Sequence, residues 1–203
     1  MKPIKAFGLV ALAALMAMAL AGTSSAMAES TALCAVDPGA GPEEVCPEEE
    51  LIEHVHASTT AEIPSVILTS IGNVVCSVLY LADTVELLSS PLVLEGTFTY
   101  AGCTAGCSVT EENGPSEIKL LKLGHEKADA KLEFLIHVKC NGFINCNYRG
   151  EEMKGFFKGL LLPFIEEEDF GNTELKKENG FLCPNQAFLD LLVFSLEAFH
   201  ITK

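Results

Sequence analysis

The sequence predicts an all-β fold, an antiparallel β-sandwich or barrel stapled by disulfides. Three observations predict it. Apolar and polar residues alternate in several segments, turn residues separate those segments without a recurring helical pattern, and the chain carries eight cysteines behind an export signal.

The first element is not part of the fold. Lys2 and Lys5 precede the 17-residue apolar run AFGLVALAALMAMALAG, and the small triplet Ala26-Met27-Ala28 follows a polar Thr-Ser-Ser segment. These are the charged region, apolar region and cleavage site of a secretory signal peptide, so residues 1–28 are expected to be removed after Ala28. No cysteine stands near that site to accept a lipid. The apolar C-terminal segment is interrupted by Asp190, Glu197 and His200. No integral membrane span is therefore expected after cleavage. Residues 29–203 are read as one disulfide-stapled domain, secreted and extracellular.

Without Lys2 and Lys5 the chain holds 11 basic against 28 acidic side chains, a net charge of −17 with histidine neutral. That balance repels nucleic acid and anionic membranes, both of which attract proteins through lysine and arginine patches, so no nucleic-acid partner is expected and a basic partner or a cation remains compatible.

In chain order, strands are expected near 52–60 and 66–70. In NVVCSVLY, Val74, Cys76, Val78 and Tyr80 share one face. In LVLEGTFTYAGC, Leu92, Leu94, Phe98 and Tyr100 oppose Glu95, Thr97 and Thr99. Strands follow at SVTEE and 116–123. The alternation is cleanest in KLEFLIHVKC, where Leu132, Phe134, Ile136, Val138 and Cys140 oppose Lys131, Glu133, His137 and Lys139. Further strands are expected near 146–150, 154–162 and 172–178. The segment AFLDLLVFSLEAFH is ambiguous, since Phe188, Leu191, Leu192, Ser195 and Phe199 also fall along a helical stripe.

In an oxidising compartment an even cysteine count reads as disulfides, and the spacings here do not suit the C-x2-C pattern of a zinc knuckle. Cys103 and Cys107 flank a three-residue loop, Thr-Ala-Gly, and are expected to face each other at a hairpin end. Cys140 and Cys146 bracket an Asn-Gly turn and are expected to pair likewise. Cys34 and Cys46 should close a loop rich in proline and glycine, which leaves Cys76 to join Cys183 across the core. On chain entropy such a long ring would stabilise by about 5 kcal/mol and the five-residue ring by about 2 kcal/mol.

The segments STALC, NVVC, GCTAGCSVT, VKCNGFINCNY and NGFLCPNQA, taken together, resemble a family of secreted, cysteine-containing β-proteins from soil actinobacteria. The resemblance spans most of residues 31–191. It implies a fold and a compartment, and transfers no catalytic residue. It also implies that residues 187–199 form strand rather than helix, although this chain is richer in Leu, Phe and Glu than that family.

His54 and His56 would project from one face of a strand, as metal-binding pairs do, but no third ligand can be named. His125, His137 and His200 are expected in solvent. The acidic runs at 43–50 and 166–172 lack the alternating ligands and fixed glycine of a calcium loop, and are read as solvated tips. No G-x-S-x-G, H-E-x-x-H or phosphate-binding glycine loop is present. Tryptophan is absent, which removes the ring best suited to stacking on sugars. No cofactor, metal site or catalytic residue is assigned. The expected function is a non-catalytic extracellular domain with a binding or surface role. The alternatives are a carrier of an apolar small molecule, prompted by GFFKGLLLPF, and an extracellular hydrolase using carboxylates.

Overall fold

The computed structural model describes residues 30–39, 45–104, 106–124, 127–158 and 173–202. The signal-peptide reading, His125, the part of GFFKGLLLPF and of the strand expected at 154–162 that follows Lys158, the run at 166–172 and part of the run at 43–50 lie outside these residues. Strands account for the regular structure apart from one helical turn at Glu48–Glu50. They are β1 (Ala32–Cys34), β2 (His54–Ser58), β3 (Ser65–Thr69), β4 (Gly72–Thr84), β5 (Leu92–Ala101), β6 (Cys107–Gly124), β7 (Lys127–Cys140), β8 (Ile144–Lys158), β9 (Thr173–Phe181), β10 (Gln186–Asp190), β11 (Phe194–Ser195) and β12 (His200–Thr202).

The pairings are antiparallel, and eight strands close a ring: β3-β4-β5-β6-β7-β8-β9-β10 and back to β3. Of the two expected architectures, the barrel is the one formed. β4 is long enough to serve two neighbours on one side, pairing β3 through Gly72–Cys76 and β2 through Leu79–Asp83. The two short segments expected on either side of Asn113-Gly114-Pro115 join as one strand, β6, whose pairing with β7 shifts between Glu112 and Glu117. Such a bulge reverses which parity faces inward: Val109 is buried before it, Ser116, Ile118 and Leu120 after it.

An eight-stranded barrel is just wide enough for side chains to fill it. Here Tyr80, Leu92, Leu94, Phe98, Leu120, Leu132, Phe134 and Ile136 do so, with Tyr80 stacked on Phe98 at 4.4 Å and Phe98 against Phe134 at 6.2 Å. Each such side chain contributes about 1.5–3 kcal/mol on burial. Outward positions of β7, among them Lys131, Glu133 and Lys139, are exposed, as the alternation requires.

The C-terminal segment is extended. Ala187, Leu189, Leu191, Val193 and Ser195 are buried, whereas Phe188, on the expected helical stripe, is 39% exposed. The period-two set wins because β10 is hydrogen-bonded on both sides, to β3 and β9.

The two ends of the barrel differ. β1 and β12 pair as a ribbon, Ala32 opposite Thr202 and Cys34 opposite His200, and are buried throughout. The ribbon is tied to the β4–β5 connection by Thr31 and Ser89, and Thr31 Oγ1 accepts from the Lys122 amide near the end of β6. It plugs one mouth. At the other mouth lie the turns β3–β4, β5–β6, β7–β8 and β9–β10 together with three disulfides.

Candidate functional site

All eight cysteines are bridged, but only one expected pairing holds. Cys34 joins Cys46. Cys76 joins Cys103, Cys107 joins Cys140 and Cys146 joins Cys183, which corrects the expected pairs Cys103–Cys107, Cys140–Cys146 and Cys76–Cys183. The reason lies in the barrel. Each hairpin-flanking cysteine sits nearer its neighbour on the adjoining strand than its partner across the turn: Cys107 is directly opposite Cys140 in the β6–β7 register. The bridges run around the mouth, each linking one hairpin to the next, and Cys76 stays at the wall instead of crossing the core.

This cystine end is built from tight, interlocked turns. The Asn141 amide donates to the Gly106 carbonyl at 2.7 Å, and a Cβ added at Gly106 would stand 2.1 Å from Asn141 Oδ1. Gly106 has φ +82°, so the close approach and the left-handed backbone both call for glycine. Thr104 bonds both backbone groups of Val75, fixing the β5–β6 turn to β4. Beneath the turns is a cleft of about 180 Å³, lined by Ile71, Asn73, Thr104, Asn141, Ile144 and Tyr148 among others. A second, shallower depression beside it is bordered by Leu68, Pro184 and Phe188.

The turns carry apolar side chains into solvent. Ile71 is 54% exposed, Phe143 74%, Phe181 72% and Leu182 60%. Leu182 also holds a left-handed backbone with φ 59°, unfavourable for a residue with a Cβ, and Cys183 beside it is bridged to β8. Segments 69–76, 101–110, 138–147 and 179–189 contain no aspartate or glutamate. The cations nearest the turns are Lys139 and Lys177, the latter donating to the Cys183 carbonyl at 3.3 Å. Charge is divided by strand: from Glu29 to Ile118 there is no lysine or arginine at all, whereas Lys119, Lys122, Lys127, Lys131, Lys154 and Lys158 stand on β6, β7 and β8 toward the plugged end. Glu48, Glu49, Glu50, Asp83 and Glu86 are grouped toward the plugged end.

The other candidate residues are scattered. His54 and His56 are exposed on β2, and His54 Nδ1 lies 2.6 Å from Asp83 Oδ1 on β4. No group of three His, Cys, Asp or Glu side chains is placed to hold a metal among the described residues. The His137 side chain is only 25% exposed, with Nε2 2.5 Å from Asn145 Oδ1 and Nδ1 3.4 Å from Glu112 Oε1. His200 is 3% exposed within β12, a correction to the expectation that both lie in solvent. Sequence reasoning did not single out Glu111. At the β6 bulge its carboxylate accepts hydrogen bonds from the Phe98 amide and the Ser116 hydroxyl. Burial pushes its pKa above the usual glutamate range, although both hydrogen bonds act against that. The Tyr80 and Tyr100 hydroxyls are buried nearby without a hydrogen-bond partner among the described residues, and burial and then the Glu111 charge raise their pKa values.

Comparison with known protein families, curated proteins and solved structures returns no match. The fold and the site define the class: a closed antiparallel barrel, plugged at one end by its terminal strands and cross-linked around the other, where it exposes apolar turns.

Proposed function

We propose that this is a secreted, extracellular binding domain without catalytic activity, and that it engages its partner through the cystine end. The observation that carries this is the exposed set Ile71, Phe143, Phe181 and Leu182 on three cross-linked turns. Exposed apolar groups are costly in water, and a turn ordinarily carries polar residues instead. Bridges around the mouth hold these groups in place, so little ordering entropy is lost on binding. Four disulfides fit an extracellular chain, in keeping with the signal peptide read from residues 1–28 and with the resemblance to secreted actinobacterial proteins.

The carrier reading has less support. The barrel interior is filled by its own side chains, the cleft of about 180 Å³ is smaller than the few hundred Å³ that drug-sized ligands occupy, and the depression beside it, at about 430 Å³, is an open surface hollow rather than an enclosed cavity. For the hydrolase reading, half-buried Glu111 has Val109 and Ser116 as its inward neighbours on β6, not a second carboxylate. The test is retention of the oxidised protein on the cell envelope and culture-fluid components of its own host, compared with Phe181→Asp. Loss of retention in the variant is expected; equal retention refutes the reading.

A further inference from the structure

We propose that two copies of this chain associate through the outer face of β6, β7 and β8, where a row of lysines runs beside a row of glutamates. The register sets both rows. Lys119 on β6 is directly opposite Lys131 on β7, Lys131 is directly opposite Lys154 on β8, and all three are exposed. Alongside, Glu95 on β5 is opposite Glu117 on β6, and Glu117 is opposite Glu133 on β7. Exposed Glu151 continues this row where the β7–β8 register shifts.

Like charges placed directly opposite one another on neighbouring strands are destabilising, and mixing the signs within each row would have avoided this. The chain relieves the conflict only in part. Glu117 lies 3.4 Å from Lys119 and Glu151 lies 3.0 Å from Lys176, whereas Lys131, at the centre of its row, has no ion pair among the described residues. A second copy completes the pattern. With a two-fold axis between the rows and parallel to them, Lys131 of each copy meets Glu133 of the other, and Lys119 meets Glu117 in the same way. This is an isologous contact, in which one face serves both copies.

The paired rows also discriminate against other partners. A polyanion following the lysines would run about 7 Å from the glutamates, two residues along each strand and inside the screening length of about 8 Å at 0.15 M salt. A polycation on the glutamates meets the lysines likewise. A face with rows of both signs at this spacing satisfies both, and this chain itself carries one. The charge of −17 on each copy opposes approach at low salt, so the contact forms once salt has screened the bodies from each other. The wall of a barrel is curved, which limits contact to about three strands and places the dimer in the small, transient class. The contact uses the side wall and is independent of the reading of the cystine end.

The experiment is sedimentation equilibrium of the oxidised protein in 0.15 M salt, from about 10 µM to about 1 mM. The wild type is expected to pass from monomer to dimer across this range. Lys131→Glu and Glu133→Lys each set two like-charge contacts across the axis and should weaken the dimer by about tenfold or more. Combining them exchanges the signs and should restore it. At concentrations where the wild type is monomeric, the denaturant midpoint of Lys131→Glu should stay level or rise, because a glutamate between Lys119 and Lys154 relieves the row; loss of the dimer is then not loss of the fold. A wild type that stays monomeric throughout, or a double variant no better than the single ones, overturns the proposal. A dimer abolished by Phe181→Asp but indifferent to Lys131→Glu puts the contact at the cystine end and overturns it too. So does a monomer held on a polyanionic resin and released by Lys131→Glu, which would make the partner an anion.

Discussion

Where β5 and β6 stop sharing a ladder, beyond the Gly96–Ser116 pair, the Phe98 amide would have no acceptor if Glu111 did not turn a carboxylate oxygen onto it at 2.6 Å. Glu111→Ala removes the acceptor for both Phe98 and Ser116 and is expected to cost about 1–3 kcal/mol, read as a lower denaturant midpoint. The pH dependence has a definite sign. Because the folded-state pKa is raised, the native state binds the proton more tightly than the unfolded chain does. The stability this gives is present below the ordinary glutamate pKa and lost as pH rises through the raised value. Glu111→Gln should flatten the profile in that window, measured by unfolding across the acidic to neutral range. Gly96 is the other critical position: a Cβ there would lie 2.5 Å from both Ala82 Cβ and the Leu81 carbonyl oxygen. Gly96→Ala should destabilise by about 1–3 kcal/mol. Ala82→Gly should rescue only part of this, since the Leu81 carbonyl remains in the way.

At the scale of strands and turns, the bridges determine what can be tested. Their sequence separations are 27, 33 and 37, so the three rings around the mouth are nearly equal in entropy, roughly 3–4 kcal/mol each on the chain-entropy model. Double alanine variants at Cys76/Cys103 and at Cys146/Cys183 should therefore lower the denaturant midpoint by similar amounts. Mapping of unreduced peptides should recover these pairs; a Cys103–Cys107 peptide would contradict the barrel register. Much of this was legible in the sequence. The alternation in KLEFLIHVKC placed every inward residue of the second half of β7 correctly, because one wetted face imposes period two. The bridge partners were not legible, since they depend on which strand lies beside which, a relation that no local spacing encodes. The apolar turns had left a signal that went unread: Asn-Gly-Phe occurs at 141–143 and again at 179–181, each time putting a phenylalanine where a turn calls for a polar residue. Glu111 was hidden among 28 acidic residues and becomes distinctive only once the bulge turns it inward.

For the whole molecule, the uneven distribution of charge sets the response to salt. The wall from β2 to β5 has no cation to offset its carboxylates, so self-repulsion across it weakens as the screening length falls from about 30 Å at 0.01 M to about 8 Å at 0.15 M salt. Tm is expected to rise with added sodium chloride over this range in thermal melts; a falling Tm would mean that the few ion pairs on the β6–β9 side outweigh the repulsion. The plug at the opposite mouth governs the order of events during synthesis. Ala32 needs Thr202, and Ser65 to Thr69 need residues that follow Gln186, so neither the ribbon nor the ring can close until almost the last residue has emerged. Non-local pairings of this kind are formed late, because the intervening chain must first be gathered in. A polypeptide whose opening strand waits for its closing strand leaves its barrel open while it is being made. The bridges are not bound by the same delay: Cys76–Cys103 and Cys107–Cys140 join strands that are neighbours in sequence, β4 with β5 and β6 with β7, so these seams can be sewn before the ring closes.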